Sequence, residues 1–303
     1  MKPGRGPTIA ALILVVNACG SGPSEPSDSR WKSGTSLTAT LFGHAAAVID
    51  DRLYVVGGDG NSGLKIYDPV TDSWSGIPRG GCMERARATA GVIQGKLYVI
   101  GDYRRPQMFD PQTELWTDLA WMPSPRTRAG VGVVEDKLYV FGGMTDYGDT
   151  TSTPSVQVYD PVADSWTTNF MPEGFNPGSD PAVGVIDDII YVAARSQTFS
   201  YDPHSGTFTD RQDRWLKADG CAHGVIDGKL YVAGGWCWNP GDWFCVPISN
   251  FFVYDPEADS WTEIEQVPAP RAYSAGGVID GILYVVGGQG WEGYARELYF
   301  YTP

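Results

Sequence analysis

The chain reads as all-β, a closed ring of six small four-stranded sheets, and three observations carry that reading. Gly and Pro number 38 and 22 in 303 residues, about one residue in five, too many helix breakers for a mostly helical chain. Aromatic residues make up 13% against 19% charged residues, which suits a large core and excludes a disordered chain. A two-part phrase also returns at nearly constant spacing, the mark of a repeat architecture.

The first part of the phrase is a hairpin. It runs GHAAAVIDDRLYVVGG to Gly58, RATAGVIQGKLYVIGD to Asp102, RAGVGVVEDKLYVFGG to Gly143, DPAVGVIDDIIYVAA to Ala194, CAHGVIDGKLYVAGG to Gly235 and SAGGVIDGILYVVGG to Gly288. An apolar run, an Asp-Gly, Asp-Asp or Gln-Gly pair that tolerates positive φ, and a Leu-Tyr-Val run predict strands a and b of each sheet. Tyr54, Tyr98, Tyr139, Tyr191, Tyr231 and Tyr284 mark the six copies. The closing Gly-Gly lets the backbone turn where a Cβ would collide with a neighbour. Runs such as LYVV are apolar on both faces, so each sheet must be covered on both sides, as sheets stacked around an axis are.

The second part is YDPVTDSW to Trp74, FDPQTELW to Trp116, YDPVADSW to Trp166, YDPHSGTF to Phe208 and YDPEADSW to Trp261. Pro fixes φ in the turn and Asp accepts backbone hydrogens, predicting strands c and d. The sixth copy stops at YTP. Its missing outer strand lies at the other end of the chain. Trp31 precedes Tyr54 by 23 residues, within the 23 to 25 seen elsewhere, and Pro26 precedes Trp31 as Pro69 precedes Trp74. N- and C-terminal strands therefore share one sheet and close the ring.

The glycine pair, the tyrosine and the later tryptophan resemble the kelch repeat over residues 27–303. The resemblance implies a six-bladed kelch-type β-propeller with four-stranded blades.

Residues 1–18 read as an export signal: Lys2 and Arg5, then an apolar run from Ile9 to Val16 too short to span a bilayer. Val16, Asn17, Ala18 and Cys19 resemble the lipobox of bacterial lipoproteins. That resemblance implies lipidation of Cys19, a tether over residues 19–26 and residence in the cell envelope, at the outer membrane. Net charge is -14, which argues against nucleic acid as a partner.

The connections from b to c and from d to a share one rim. The d-to-a spacing hardly varies, whereas the b-to-c loops of blades three, five and six are long, and long loops on a rigid scaffold tend to carry function. The longest holds Trp236, Trp238, Trp243 and Phe244, and its neighbour holds Trp291 and Tyr294. These rings form either an aromatic platform for a sugar or peptide, or a small core beneath the loop. Cys237 and Cys245 are placed to pair in an oxidising compartment, whereas Cys82 and Cys221 read as two buried thiols. Arg85, Arg87, Arg126, Arg128 and Arg271 precede strand a. They either gather as a cationic ring that draws an anionic ligand, or bridge neighbouring blades through acids and carbonyls.

Chemistry-bearing patterns are sparse. His44, His204 and His223 are the only histidines, and blade six separates the first from the third, so no metal site is expected. Gly58, Gly60 and Gly63 fit G-x-G-x-x-G, but a strand follows rather than a helix. Asp146, Asp149, Asp242 and Glu292 are loop acids, which are ordinarily solvated. The expectation is a monomeric, non-enzymatic binding module without cofactor, taking a glycan or protein ligand of anionic character. The alternative is a sugar-acting enzyme resembling the periplasmic kelch-type sialic acid mutarotases.

Overall fold

The computed structural model describes residues 29–58, 63–77, 87–101, 105–145, 154–195, 197–237 and 246–303. The export signal, Cys19, the tether, Cys82, Arg85, Trp238, Trp243, Phe244 and Cys245 lie outside them. Six four-stranded antiparallel sheets are present among the described residues. Blade one is built from His44–Ile49, Arg52–Gly57, Leu64–Asp68 and Ser73–Ile77, strands a to d in chain order. The a strands of blades two to six are Thr89–Ile93, Gly130–Val134, Ala182–Ile186, Ala222–Ile226 and Ala275–Ile279. Each a strand packs on the a strand of the next blade, and Ala275–Ile279 packs back onto His44–Ile49. The ring is closed.

The hairpin turns follow from the sequence. Asp50 and Asp51, Glu135 and Asp136, and Asp187 and Asp188 all have positive φ, between 48° and 60°, the conformation a two-residue turn of this hand requires. The glycine pairs are also needed where the backbone closes up. A Cβ on Gly143 would come within 2.7 Å of the Thr127 carbonyl oxygen.

The Tyr-Asp-Pro phrase does more than turn the chain. In blades one, three and five its tyrosine hydroxyl donates to the aspartate five residues on: Tyr67 to Asp72 at 2.6 Å, Tyr159 to Asp164 at 2.6 Å, and Tyr254 to Asp259 at 2.5 Å. The same carboxylate oxygens accept the backbone N–H of Thr35, Ala120 and Gln212, which leave the preceding blade. Trp74, Trp166 and Trp261 then donate from Nε1 to the carbonyls of those three residues. Each copy thus ties its own outer turn to the chain arriving from the blade before. Blade four ends in Phe208 and has Gly206 at the aspartate position, so it lacks both groups.

Blade six closes as expected. Trp31–Gly34 pairs antiparallel with Leu298–Tyr301, Trp31 opposite Tyr301. Trp31 is buried between Phe251 of blade five and Tyr301, with ring centroids 5.1 and 5.2 Å apart. Burying an indole in this way is worth several kcal/mol, on the order of a large core side chain.

Candidate functional site

Six residues, one per blade, stand at the mouth of the central channel: Gly43, Arg87, Arg128, Asp180, Gly220 and Tyr273. Each lies six residues ahead of the last apolar residue of strand a, from Ile49 to Ile279. All six have left-handed backbone, with φ of 63°, 56°, 61°, 50°, 64° and 53°. Five hydrogen bonds join them in succession around the rim. Gly43 N–H donates to the Tyr273 carbonyl (3.3 Å), Tyr273 to Gly220 (2.7 Å), Gly220 to Asp180 (3.1 Å), Asp180 to Arg128 (2.6 Å) and Arg128 to Arg87 (3.0 Å). Left-handed φ costs a non-glycine residue about 1 kcal/mol. Four blades carry that strain in order to present an arginine, an acid or a tyrosine at the opening. Glycine at the other two positions gives room: a Cβ on Gly220 would meet the Tyr273 ring at 2.6 Å.

The side chains converge. Arg128 pairs with Asp180 through Nε, donates from Nη2 to the Tyr273 hydroxyl at 3.2 Å, and sits 5.1 Å from the Tyr273 ring centroid. Asp219, buried, accepts from Arg195 Nε at 2.7 Å, while its Oδ1 has no hydrogen-bond partner. Burial raises the Asp180 carboxyl to about 6, with the Asp219 charge adding to the rise and Arg128 opposing it. Burial likewise raises Asp219, against the pull of Arg195 and Arg128. For Arg128, burial by itself lowers the pKa, but Asp180, Tyr273 and Asp219 outweigh it and the guanidinium is raised. Burial raises Tyr273.

A line of aromatic rings crosses the same rim. Trp236 stacks on Tyr273 (5.8 Å, 28°), Phe42 meets Tyr273 edge-on (5.3 Å, 86°), and Tyr294 stacks on Phe42 (4.9 Å, 12°). Trp236 is held there because the long blade-five loop enters and returns as short strands. Trp236–Cys237 pairs with Ala218–Asp219 on one side and Val246–Pro247 on the other.

The predicted site residues separate by position. Arg87 and Arg128 reach the mouth with Trp236 and Tyr294. Arg126 and Arg271 do not form part of a cationic ring. They lie two residues earlier in their loops, are 1% and 2% exposed, and serve the blade interior. Arg126 donates to the carbonyls of Gly142 (3.1 Å) and Ser155 (2.9 Å) and to the Ser155 hydroxyl (2.6 Å). Arg271 donates to the Gly287 carbonyl at 3.2 Å and lies 4.4 Å over the Tyr299 ring. Two positions along an irregular loop turn the side chain from solvent to core, a distinction that composition does not reveal. Trp291, 67% exposed, lines a second cavity of about 470 Å³ with Tyr294, Tyr299 and Glu297, all of blade six, and this cavity shares no lining residue with the channel. Cys237 sits on the short strand beside Trp236, and its predicted partner Cys245 is outside the described residues. Sequence reasoning missed Asp180, Asp219, Tyr273 and Phe42. Aligning the six repeats on the position six ahead of strand a's end would have shown Asp180 and Tyr273 in one column with Arg87 and Arg128.

The geometry agrees with what the chain resembles. The kelch motif matches residues 41–80, 125–168 and 219–268. The chain is 27% identical over 84% of its length to Kelch-like protein 35 of Mus musculus, covering 46% of that protein. It is 26% identical over 93% of its length to Kelch-like protein terF of Aspergillus terreus (strain NIH 2624 / FGSC A1156), covering 59% of it. The chain thus spans about half the length of the curated relatives it matches. The solved structure of YjhT superposes with a TM-score of 0.76 at 16% identity, over 86% of this chain and 95% of that one, a likeness of fold. The chain thus carries kelch motifs over these three stretches and has a β-propeller fold.

Proposed function

We propose that the chain is an exported, lipid-anchored kelch propeller of the bacterial cell envelope that acts as a monomeric binding module. Its ligand is a glycan or protein segment of anionic character, taken at the channel mouth. The observation that carries this reading is the placement of Tyr273. It lies under Arg128, against Trp236 and against Phe42, so cation and aromatic surface meet at one point, with Arg87 on the same rim. In a chain of net charge -14, these two arginines give an acidic ligand a local place to dock. The indole and phenol faces supply area at little entropy cost.

The test is a binding screen of the purified chain against acidic glycans and Asp/Glu-rich peptides, repeated with Arg87→Ala and with Trp236→Ala. Loss of binding in both variants supports the reading; binding that survives both removes it. For the anchor, Cys19→Ser moves the protein from the membrane fraction to the soluble one. Continued membrane retention would count against lipidation.

One observation favours a second reading, a sugar-acting enzyme resembling the periplasmic kelch-type sialic acid mutarotases. Asp180, with its carboxyl at about 6, stands beside Arg128 and could exchange a proton near neutral pH. Interconversion of sugar anomers that stops in Asp180→Asn, followed by NMR, would decide for it.

A further inference from the structure

The second cavity, of about 470 Å³, is walled by Trp291, Tyr294, Tyr299, Glu292 and Glu297, with Arg271 also in its lining. Local sequence explains why rings and carboxylates stand open here. Gln289–Gly290 pairs with Gly293–Tyr294 as a two-stranded ribbon, and Trp291 and Glu292 form its turn. A ribbon this short has no core of its own in which to bury its side chains. Trp291 is therefore 67% exposed, and Tyr294 is 51% exposed although it stacks on Phe42. Two open rings lining one cavity mark an interaction site rather than scattered surface residues.

The charges then select the occupant. The one cation among these lining residues, Arg271, is 2% exposed. Its guanidinium donates to the Gly287 carbonyl at 3.2 Å, lies 4.4 Å from the Tyr299 ring centroid and stands 3.8 Å from Glu297. Those contacts answer its charge from inside the blade. The accessible charges are the carboxylates: Glu292 is exposed, and the Glu297 side chain is 44% exposed. Arg296, a neighbour in the chain, is exposed but is not among the lining residues. An anion would have to part Glu297 from Arg271 and settle beside Glu292. A neutral apolar group would cover the rings but desolvate the carboxylates without giving them a partner. A cation gains from both, because indole and phenol faces attract positive charge and the two carboxylates attract it further. The chain's net charge of -14 steers such a partner from a distance.

Size narrows the occupant further. A cavity of about 150 Å³ holds benzene. The cavity here, about 470 Å³, holds more than an alkyl chain with a charged head, and leaves room for main chain on either side of it.

We propose that this cavity is a docking site for a lysine or arginine side chain presented by a segment of polypeptide. The alkyl stem lies against the rings of Trp291 and Tyr294, and the charged head is directed to Glu292 and Glu297. The site takes the opposite charge to the channel mouth and does not depend on that reading.

The experiment titrates the full chain, by calorimetry and saturation-transfer NMR, with end-blocked glycine pentapeptides carrying a central lysine or arginine. Their neutral counterparts carry acetyl-lysine or citrulline, and n-butylamine serves as the free cation. Trp291→Ala removes a ring, Glu292→Gln removes a charge with little change of shape, and melting curves verify that each variant is folded. The expected result is that a basic peptide binds and that its neutral counterpart binds about fivefold more weakly or worse. Trp291→Ala should weaken the basic peptide about fivefold and Glu292→Gln about threefold, while Arg87→Ala leaves its binding unchanged. If Trp291→Ala does not fold, Glu292→Gln decides. Equal binding of basic and neutral peptides overturns the proposal, since the cavity then selects no cation. Loss of binding in Arg87→Ala but not in Trp291→Ala overturns it as well, because the peptide then sits at the channel mouth. Butylamine bound as tightly as the peptides removes the polypeptide as the occupant, and failure of both basic peptides to bind overturns the site.

Discussion

Arg128 donates from Nη2 to the hydroxyl of Tyr273 at 3.2 Å, joining blade three to blade six across the channel mouth. The two blades are opposite in the ring, so this contact spans the opening rather than following its rim. Arg128 also holds Asp180 of blade four. One guanidinium therefore serves three blades.

Arg128→Ala should be among the most destabilising single changes at the mouth. Asp180 and Arg128 are only 17% and 13% exposed in their side chains, and removing one partner of a buried pair strands the other, at about 3 kcal/mol. Denaturant unfolding should show the midpoint falling. Adding Asp180→Asn should recover more than half of the loss, because the stranded charge goes with it; a double variant no better than the single would refute this account of the pair.

Closure of the ring can be tested at Trp31. Trp31→Ala empties the space between Phe251 and Tyr301 and should cost about 3–5 kcal/mol, read as a fall in melting temperature of the whole propeller. Deleting residues 27 to 35 should do more. An unchanged melt after that deletion would mean that the shared blade is not what holds the ends together.

Two arginines in successive d-to-a loops should behave differently. Arg126→Ala leaves the Gly142 and Ser155 carbonyls and the Ser155 hydroxyl without their donor, and should cost about 2–3 kcal/mol. Arg87→Ala, at the rim, should shift stability by no more than about 0.5 kcal/mol while weakening binding of an acidic ligand. Parallel melts and titrations of the two variants would show whether stability and binding separate in this way.

Binding of an anionic ligand should strengthen as pH falls from about 7.5 to 5.5, as protonation removes an opposing charge. Asp180 gains its proton near 6, leaving Arg128 and Arg87 less neutralised, while ligand carboxylates stay ionised. Asp180→Asn should flatten the profile. The stability trend carries the same sign for this group. Its folded carboxyl holds the proton more tightly than the unfolded one, so its contribution is full below the unfolded value near 3.8 and is lost as pH rises through about 6. Asp72, Asp164 and Asp259 run the other way. Backbone and tyrosine donors lower them, so their contribution is present above the unfolded value and is lost as pH falls through their depressed pKa values. A pH titration of the melting temperature in the wild type and in Tyr159→Phe would separate the two.

The sequence by itself determined the propeller. Turn pairs such as Asp50 and Asp51, the Tyr-Asp-Pro-Trp phrase and the spacing of Trp31 are local rules repeated in register, and each strand, turn and the closing pairing followed from them. Part of the candidate site was also legible: Arg87, Arg128, Trp236 and Tyr294 stood out as cations and rings without a role in the repeat. Only the tertiary structure separated Arg128 from Arg126. The loop before each a strand is irregular, and the hydrogen-bond ring from Gly43 to Tyr273, made with neighbouring blades, decides which side chain faces the channel. The same holds for Asp180 and Asp219. A loop aspartate is ordinarily hydrated, whereas Asp219 is buried and Asp180 partly so, because blades distant in sequence close around them and remove much of the water that would keep their carboxyls at ordinary values.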